Sequence, residues 1–167
     1  MVLSEAIRDY LQYGRCERGH SESTHLSYQS WLRRFGRWFS ESDLSDPPIS
    51  GITAAQIRRY QYHLTAQKLR PRTVRGALHA VRGMFAYLHE MGLLEANPAL
   101  DVRLPKKDAA TRLLVSDDDL IALLEACERQ ASDLRCVRDR AVLAVLIYCG
   151  LRRQEVLDLR LQDVSLA

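Results

Sequence analysis

The chain has 167 residues, of which 24 are Lys or Arg and 21 are Asp or Glu, so its formal net charge is +3. With 47% hydrophobic and 27% charged residues, the composition excludes an intrinsically disordered chain. The longest apolar run, 141–149, is nine residues long and too short to cross a bilayer. The first residues lack the pattern of a signal peptide. We therefore expect a cytoplasmic protein without a membrane partner, associated with the nucleoid if its source is prokaryotic.

The positive charge is concentrated in one part of the chain. Residues 47–89 contain seven Lys or Arg and no acidic residue, whereas the other 124 residues contain 17 basic and 21 acidic ones. Arg outnumbers Lys by 21 to 3, and one planar guanidinium group can bind two oxygens of a phosphate at once. This asymmetry favours a polyanionic partner.

The cysteines do not form a metal-binding pattern. No two of them are spaced as C-x-x-C, and no His lies at zinc-ligand spacing from them, so we expect no metal site. Three of the four lie in apolar helical patterns, where cysteine is usually a small core residue. These three are Cys127, Cys136 and Cys149.

Hydrophobic periodicity predicts two helices in the first forty residues. The first has Ser4 as its N-cap and runs to about Arg18; the second runs from Ser23 or Thr24 to Ser40. One side of the second helix carries Tyr28, Trp31, Leu32, Phe35, Trp38 and Phe39. The other side carries Arg33, Arg34 and Arg37.

Two further helices are predicted in the acid-free region. The third begins after Thr53 and runs to about Gln67, and the fourth has Pro71 in its first turn and ends at Gly92. The apolar stripe of the fourth helix consists of Val74, Leu78, Val81, Phe85 and Leu88. Beside this stripe lie Arg72, Arg75, His79 and Arg82.

The remaining chain begins with a predicted interdomain linker at 104–113, which contains the exposed Lys106 and Lys107. Ser116 then caps a helix whose inner face consists of Leu120, Leu123, Leu124 and Cys127. A buried helix from about Arg135 to Cys149 follows, closed by Gly150 in the left-handed conformation. A short helix at 152–159 and the beginning of a strand at 161–167 complete the prediction.

Two helices with arginine on the face away from the core could both lie against duplex DNA. Phosphate contacts would supply the affinity, and Arg75 or His79 could reach base edges in the major groove. The alternative is that these are ordinary solvated helix faces. The candidate DNA-binding residues are Arg33, Arg34, Arg37, Lys68, Arg70, Arg72, Arg75, His79, Arg82, Lys106 and Lys107.

A second candidate site lies at 149–155. By itself it predicts an ion pair between Arg152 and Glu155 in the first turn of a short helix. Its functional interpretation places Arg152 on a tight turn, directed at a phosphate and positioned by Glu155.

The segment 147–166 resembles the region around the first catalytic arginine of tyrosine recombinases, the phage-integrase and Xer-like family. The pattern of that family is typically Thr-Gly-Leu-Arg-x-x-Glu, then two leucines and an Asp. Those places are occupied by Gly150, Leu151, Arg152, Glu155, Leu157 or Leu159, and Asp163, while Cys149 stands where Thr is usual.

The resemblance also covers the earlier chain. Thr24, Tyr28, Leu32 and Phe35 resemble the second core-binding helix of the family. The range 73–88, Gly92 and Asn97-Pro98 resemble its fourth helix and exit, and 104–106 with 114–124 resemble its linker and the opening of its catalytic domain.

The resemblance implies an all-α, SAM-like core-binding bundle of four to five helices at 1–103. It also implies the 104–113 linker and a helical, incomplete start of a mixed α+β catalytic domain at 114–167. The implied partners are double-stranded DNA and other recombinase protomers, so we expect self-association through residues after about Leu114. No cofactor is implied, because a covalent phosphotyrosine conserves the energy of the cleaved bond.

In the family, arginines stabilise charge on the attacked phosphorus, which implies that role for Arg152 with support from Glu155. The family's hairpin Lys, His-x-x-Arg box and nucleophilic Tyr follow the point where this chain ends. All seven tyrosines here precede Arg152. We therefore expect a site-specific recombinase chain that binds DNA but does not cleave it alone. Two alternatives are a non-catalytic DNA-binding regulator and an all-helical protein-interaction module.

Overall fold

The computed structural model describes residues 1–42, 45–106, 114–128 and 134–164. The secondary structure over these ranges consists of helices and turns without a strand, so the predicted all-α class is confirmed. The chain divides into two compact units, Met1–Ala109 and Ala110–Ala167. None of the helices in these ranges has the length and apolar character needed to span a membrane.

The first unit contains the four predicted helices. They are α1 (Leu3–Cys16), α2 (Glu22–Ser40), α3 (Ala54–Ala66) and α4 (Pro71–Glu90), with a 3-10 turn at Ile49–Gly51. As predicted, Thr53 caps α3 and Pro71 begins α4. Gly92 follows α4 with φ of +70°, a left-handed conformation that favours glycine. Helix α2 starts slightly earlier than predicted because Ser21 caps it, accepting a hydrogen bond from Thr24 N.

Helix α1 begins before its predicted N-cap. The N-cap is Val2, whose backbone forms an antiparallel bridge with Pro48, and Leu3 N donates to the carbonyl oxygen of Pro47 at 3.0 Å. Ser4 instead donates from its backbone N and Oγ to the carboxylate of Asp46, at 2.8 and 2.6 Å. The prediction for Ser4 is wrong because this start depends on a partner about forty residues away.

Aromatic rings form the centre of the first unit. Phe35 is completely buried and makes edge-on contacts with Tyr60 and Phe39, at centroid distances of 4.9 and 5.2 Å. The predicted apolar stripe of α4 is buried as well, and so are Ile57, Tyr60 and Leu64 on α3. On α2, Leu32, Phe35 and Phe39 are buried, whereas Tyr28, Trp31 and Trp38 pack at the edge of the core. Because the apolar faces of these helices pack in the core, their opposite faces are directed to the surface of the first unit.

One glycine of α4 makes room for a tyrosine of α1. A Cβ on Gly83 would lie 2.3 Å from the hydroxyl oxygen of Tyr10, a buried ring that contacts Tyr28 and Tyr87. The same substitution at Gly76, also on α4, would meet Trp31 Nε1 at an ordinary 3.7 Å.

We expect Gly83→Ala to destabilise the first unit by about 1 kcal/mol, because overpacking exceeds the gain in helix propensity. Gly76→Ala should gain up to about 1 kcal/mol, since it adds propensity without a clash. Chemical denaturation followed by tryptophan fluorescence measures both changes. Equal shifts for the two variants would contradict the contact between Tyr10 and Gly83.

The second unit contains α5 (Asp117–Glu128), α6 (Leu134–Tyr148), α7 (Arg153–Asp158) and a 3-10 turn at Leu161–Asp163. The predicted cap of α5 is confirmed, since Ser116 Oγ accepts a hydrogen bond from Asp119 N at 3.1 Å. Residues 161–163 do not begin a strand as predicted. Arg160 N donates to Asp163 Oδ2 at 2.9 Å, a local contact that favours a turn. Residues 165–167 lie outside the described residues.

Helix α6 is not buried as predicted. Among the described residues of the second unit only Cys136 is buried, while Val137 is 71% exposed and Cys149 is also exposed. Helix α6 packs against α5 and α7, and two neighbours cannot cover a helix that is apolar on several sides. Of the predicted core cysteines, Cys136 is buried, Cys127 is half-buried and Cys149 is exposed.

Candidate nucleic-acid interface

Helices α2 and α4 meet where Trp31 lies against Gly76, and we call this contact the α2–α4 seam. Arg34 comes three residues after Trp31, and Arg72 comes four residues before Gly76. Residues three or four apart share a helix face, so both arginines lie along the seam. This spacing indicates that one predicted cation of each helix lies on the same side of the first unit.

A groove of about 590 Å³ runs along α2 beside the seam. Arg34 donates from Nη2 to Gln67 Oε1, and Gln67 in turn contacts His63 Nε2 at 2.8 Å. Gln67 immediately precedes the turn that carries Lys68 and Arg70, so this contact connects the cations of α2 with those before α4. Lys68 itself adopts φ of 56°, which bends the chain tightly between α3 and α4.

The other two arginines of α2 lie on a ridge between two grooves. Arg33 and Arg37 line the 590 Å³ groove and also a second one, of about 830 Å³, on the side of α1. The second groove includes Arg8 and Arg15, which sequence reasoning missed. Acidic residues close to these two arginines on α1 make the net charge of that part of the sequence small. The sequence therefore gives no sign of them, and only the folded structure shows that they line the groove.

The predicted basic cluster of α4 separates into two parts. Arg72 and His79 are exposed, while Arg75 and Arg82 are half-buried. The guanidinium group of Arg82 donates to three backbone carbonyl groups of the segment that leaves α4: Ala99 at 3.1 Å, Leu100 at 3.0 Å and Val102 at 2.5 Å. Arg82 therefore has a structural task within the first unit.

Two more arginines bind the same segment. Arg75 Nη1 donates to the carbonyl oxygen of Pro105, and Arg58 Nη2 to that of Asp101 at 3.3 Å. We call residues 99–105, bound in this way, the exit strap. The strap shows that three cations of the acid-free region bind backbone carbonyl groups. Beyond the strap, Lys106 is exposed, and Lys107 lies outside the described residues.

The second candidate site forms the predicted ion pair. Gly150 has φ of +64°, as predicted, and Arg152 is the N-cap of α7, one residue later than the predicted helix start. Arg152 donates to the carboxylate of Glu155 from its backbone N at 2.7 Å and from Nη1 at 2.9 Å. These hydrogen bonds lower the pKa of Glu155. The Arg152 side chain is 85% exposed, so a ligand can reach its other N–H groups.

The described parts of both units contain no group of three His, Cys, Asp or Glu side chains that could hold a metal ion. The arrangement offers guanidinium, imidazole and ammonium groups on helical surfaces. Such groups bind phosphate oxygens by charge-assisted hydrogen bonds.

Residues 7–92 match the family model for the phage integrase N-terminal SAM-like domain. The chain is 33% identical over 150 residues to tyrosine recombinase XerD of Pseudomonas putida, covering 90% of this chain and 49% of the relative. It spans about half the length of the recombinases that it matches.

Two solved structures share the fold. The N-terminal domain of a phage integrase/site-specific recombinase from Haloarcula marismortui matches with a TM-score of 0.56 and 18% identity, over 63% of this chain and 97% of that one. A lambda integrase dimer bound to a core site matches with a TM-score of 0.72 and 16% identity, over 99% and 43%. Together with the family model, these matches confirm the expected SAM-like bundle. The chain belongs to the tyrosine recombinase, or phage integrase, family, and residues 7–92 carry its N-terminal SAM-like domain.

Proposed function

We propose that this chain supplies the DNA-binding domain and the first part of the catalytic domain of a site-specific tyrosine recombinase. The observation that carries the proposal is the hydrogen bond from Arg34 to Gln67, which joins α2 to the turn that carries Lys68 and Arg70 and that leads to the exposed Arg72 at the start of α4. The lambda integrase dimer was solved bound to a core site, and the Tn1549 transposon integrase, which has the same fold at a TM-score of 0.70 and 16% identity, was solved in complex with DNA; both support the same ligand class here. In this proposal residues 1–103 bind DNA, 104–113 link the domains, and 114–167 belong to the catalytic domain.

Phosphate chemistry explains why the seam suits duplex DNA. Guanidinium groups bind phosphate oxygens in pairs, and each neutralised phosphate releases counterions. Arg34, Arg72 and His79 come from two packed helices, so the core fixes their spacing before DNA arrives. Such preorganised cations lose less conformational entropy on binding than cations on a flexible tail.

In the complete recombinase, the task we propose for Arg152 is stabilisation of the charge on the attacked phosphate. Glu155 acts as a positioning residue, because it accepts hydrogen bonds from both the backbone and the side chain of Arg152. A guanidinium group oriented before the reaction loses little energy to reorganisation as charge develops.

Other recombinase protomers are the second class of partner that we propose. The second unit exposes large apolar side chains, including Leu114 at 90%, Leu134 at 87% and Val137 at 71%. Exposed apolar surface of this kind favours association. We expect light scattering to show self-association of the chain that increases with concentration, and a monomer at high concentration would contradict this.

Electrophoretic mobility shift on duplex DNA with a salt titration tests the DNA-binding proposal. We expect binding at 50 mM salt that weakens steeply towards 200 mM, because the logarithm of the affinity falls by about 0.9 per neutralised phosphate for each tenfold rise in salt. No binding at low salt, or binding that salt does not change, would overturn the proposal.

A further inference from the structure

The exit strap is anchored in the core of the first unit by its side chains. Ala99 and Val102 are buried, and Ala99 N donates to the side-chain oxygen of Asn97 at 2.9 Å. The carbonyl groups of the strap point instead to arginine: Arg82 binds those of residues 99, 100 and 102, and Arg58 binds that of residue 101. The strap therefore depends on cations from the region proposed to bind DNA.

Arg75 occupies a distinct place among these arginines. It binds the last carbonyl of the strap, at Pro105, and it lies on α4 between the exposed Arg72 and His79. Arg75 itself is half-buried. Its hydrogen bond to Pro105 uses Nη1, and we find no other hydrogen bond of Arg75 among the described residues. A guanidinium group has five N–H donors, and the hydrogen bond to Pro105 uses one of them, on Nη1.

We propose that Arg75 bridges DNA and the exit strap. Its Nη1 stays on the Pro105 carbonyl oxygen while its Nε–Nη2 edge binds a phosphate of the duplex. This inference rests on the proposed DNA-binding function and adds a positioning role to it. The two ligands occupy different edges of one planar group, so they do not compete.

The bridge couples DNA binding to the point where the chain leaves the first unit. A phosphate that immobilises the guanidinium group of Arg75 also holds in place the donor of the hydrogen bond to the Pro105 carbonyl oxygen. Linkage is reciprocal, so a retained strap raises the affinity for DNA by the same factor by which DNA stabilises the strap. Lysine cannot replace this function, because its ammonium group is a point charge without two separate edges.

Limited trypsin digestion of the whole chain tests the bridge. Cleavage after Arg103 requires release of the strap, because Val102 and Leu104 on either side pack in the core. We measure the fragment that ends at Arg103 by mass spectrometry, with and without a saturating duplex at 50 mM salt. In the wild type, DNA should slow this cleavage roughly fivefold, as expected when cleavage follows local opening.

Arg75→Lys is the decisive variant, and Arg72→Lys is its matched control on the same helix. Both variants keep the charge, and each is measured at a duplex concentration that saturates it, so a lower affinity does not by itself remove the protection. The Arg72→Lys complex should keep the DNA-dependent protection of Arg103, while the Arg75→Lys complex should lose it. Equal protection in the two variants would mean that DNA covers Arg103 directly, and this would overturn the bridge.

The outcomes separate the bridge from the DNA-binding function on which it rests. Binding of DNA without protection of Arg103 in the wild type overturns the bridge alone. A wild-type chain that binds no duplex at 50 mM salt overturns both. In the absence of DNA, Arg75→Ala should speed cleavage after Arg103 relative to Arg72→Ala, and equal rates would overturn the contribution of Arg75 to the strap.

Discussion

Replacing Arg82 by alanine is expected to lower the free energy of unfolding of the first unit by about 2–4 kcal/mol, since hydrogen bonds to charged groups contribute about 1.5–3 kcal/mol each. The guanidinium group of Arg82 satisfies three carbonyl groups of the exit strap. Ala99 and Val102 are buried, so water cannot fully replace the lost donors. Arg82→Lys should recover part of the loss, because one ammonium group cannot reproduce the fork of Nε and Nη2.

Tryptophan fluorescence reports this loss without interference from the second unit. Both tryptophans of the chain, Trp31 and Trp38, lie on α2 in the first unit. We compare the urea denaturation of the wild type, Arg82→Ala and Arg72→Ala. Only Arg82→Ala should unfold with its midpoint at a clearly lower urea concentration. The control removes an exposed arginine of the same helix and should change stability by less than about 0.5 kcal/mol. Equal midpoints for all three proteins would contradict the structural role of Arg82.

The second large effect concerns the α2–α4 seam. We expect the double charge reversal Arg34→Glu, Arg72→Glu to reduce duplex affinity roughly hundredfold at 100 mM salt. The plot of log affinity against log salt concentration should also become less steep, by the amount expected for the loss of about two phosphate contacts. The reason is loss of two cations together with new repulsion between carboxylate and phosphate. Fluorescence anisotropy over a salt series measures both quantities, and tryptophan fluorescence verifies that the variant remains folded.

Arg8→Glu, Arg15→Glu is the matched control for this reversal. It makes the same change in net charge on α1, where both arginines line the second groove. DNA lying along the seam predicts a much smaller loss of affinity in the control. A larger loss in the control would instead place the duplex along the groove between α1 and α2.

The helices of the first unit were predictable because their signals are local. Thr53 caps the helix that starts one residue later, and the periodic apolar positions of α4 all become buried. The start of α1 was not predictable, because Val2 and Leu3 pair with residues near Pro48 that are remote in the sequence. Likewise, the apolar sequence of α6 indicated burial, but burial depends on which elements pack beside it.

The same distinction applies to the candidate sites. The ion pair between Arg152 and Glu155 spans three residues and follows from helix geometry. The partners of Arg75 and Arg82 lie 30 and 17 to 20 residues away, and sequence pattern does not distinguish an arginine that binds a phosphate from one that binds a carbonyl. The roles of these residues towards DNA remain predictions for the experiments above.

The exit strap supplies a second physical reason for the absence of acidic residues from the stretch 47–89, besides DNA binding. A carboxylate attracts guanidinium more strongly than a neutral carbonyl does. An Asp or Glu introduced on α3 or α4 within reach of Arg58, Arg75 or Arg82 would therefore draw that arginine away from the backbone it supports. Exclusion of acidic residues keeps these side chains available for the chain's own exit, so a single new carboxylate there would loosen a segment that it never touches.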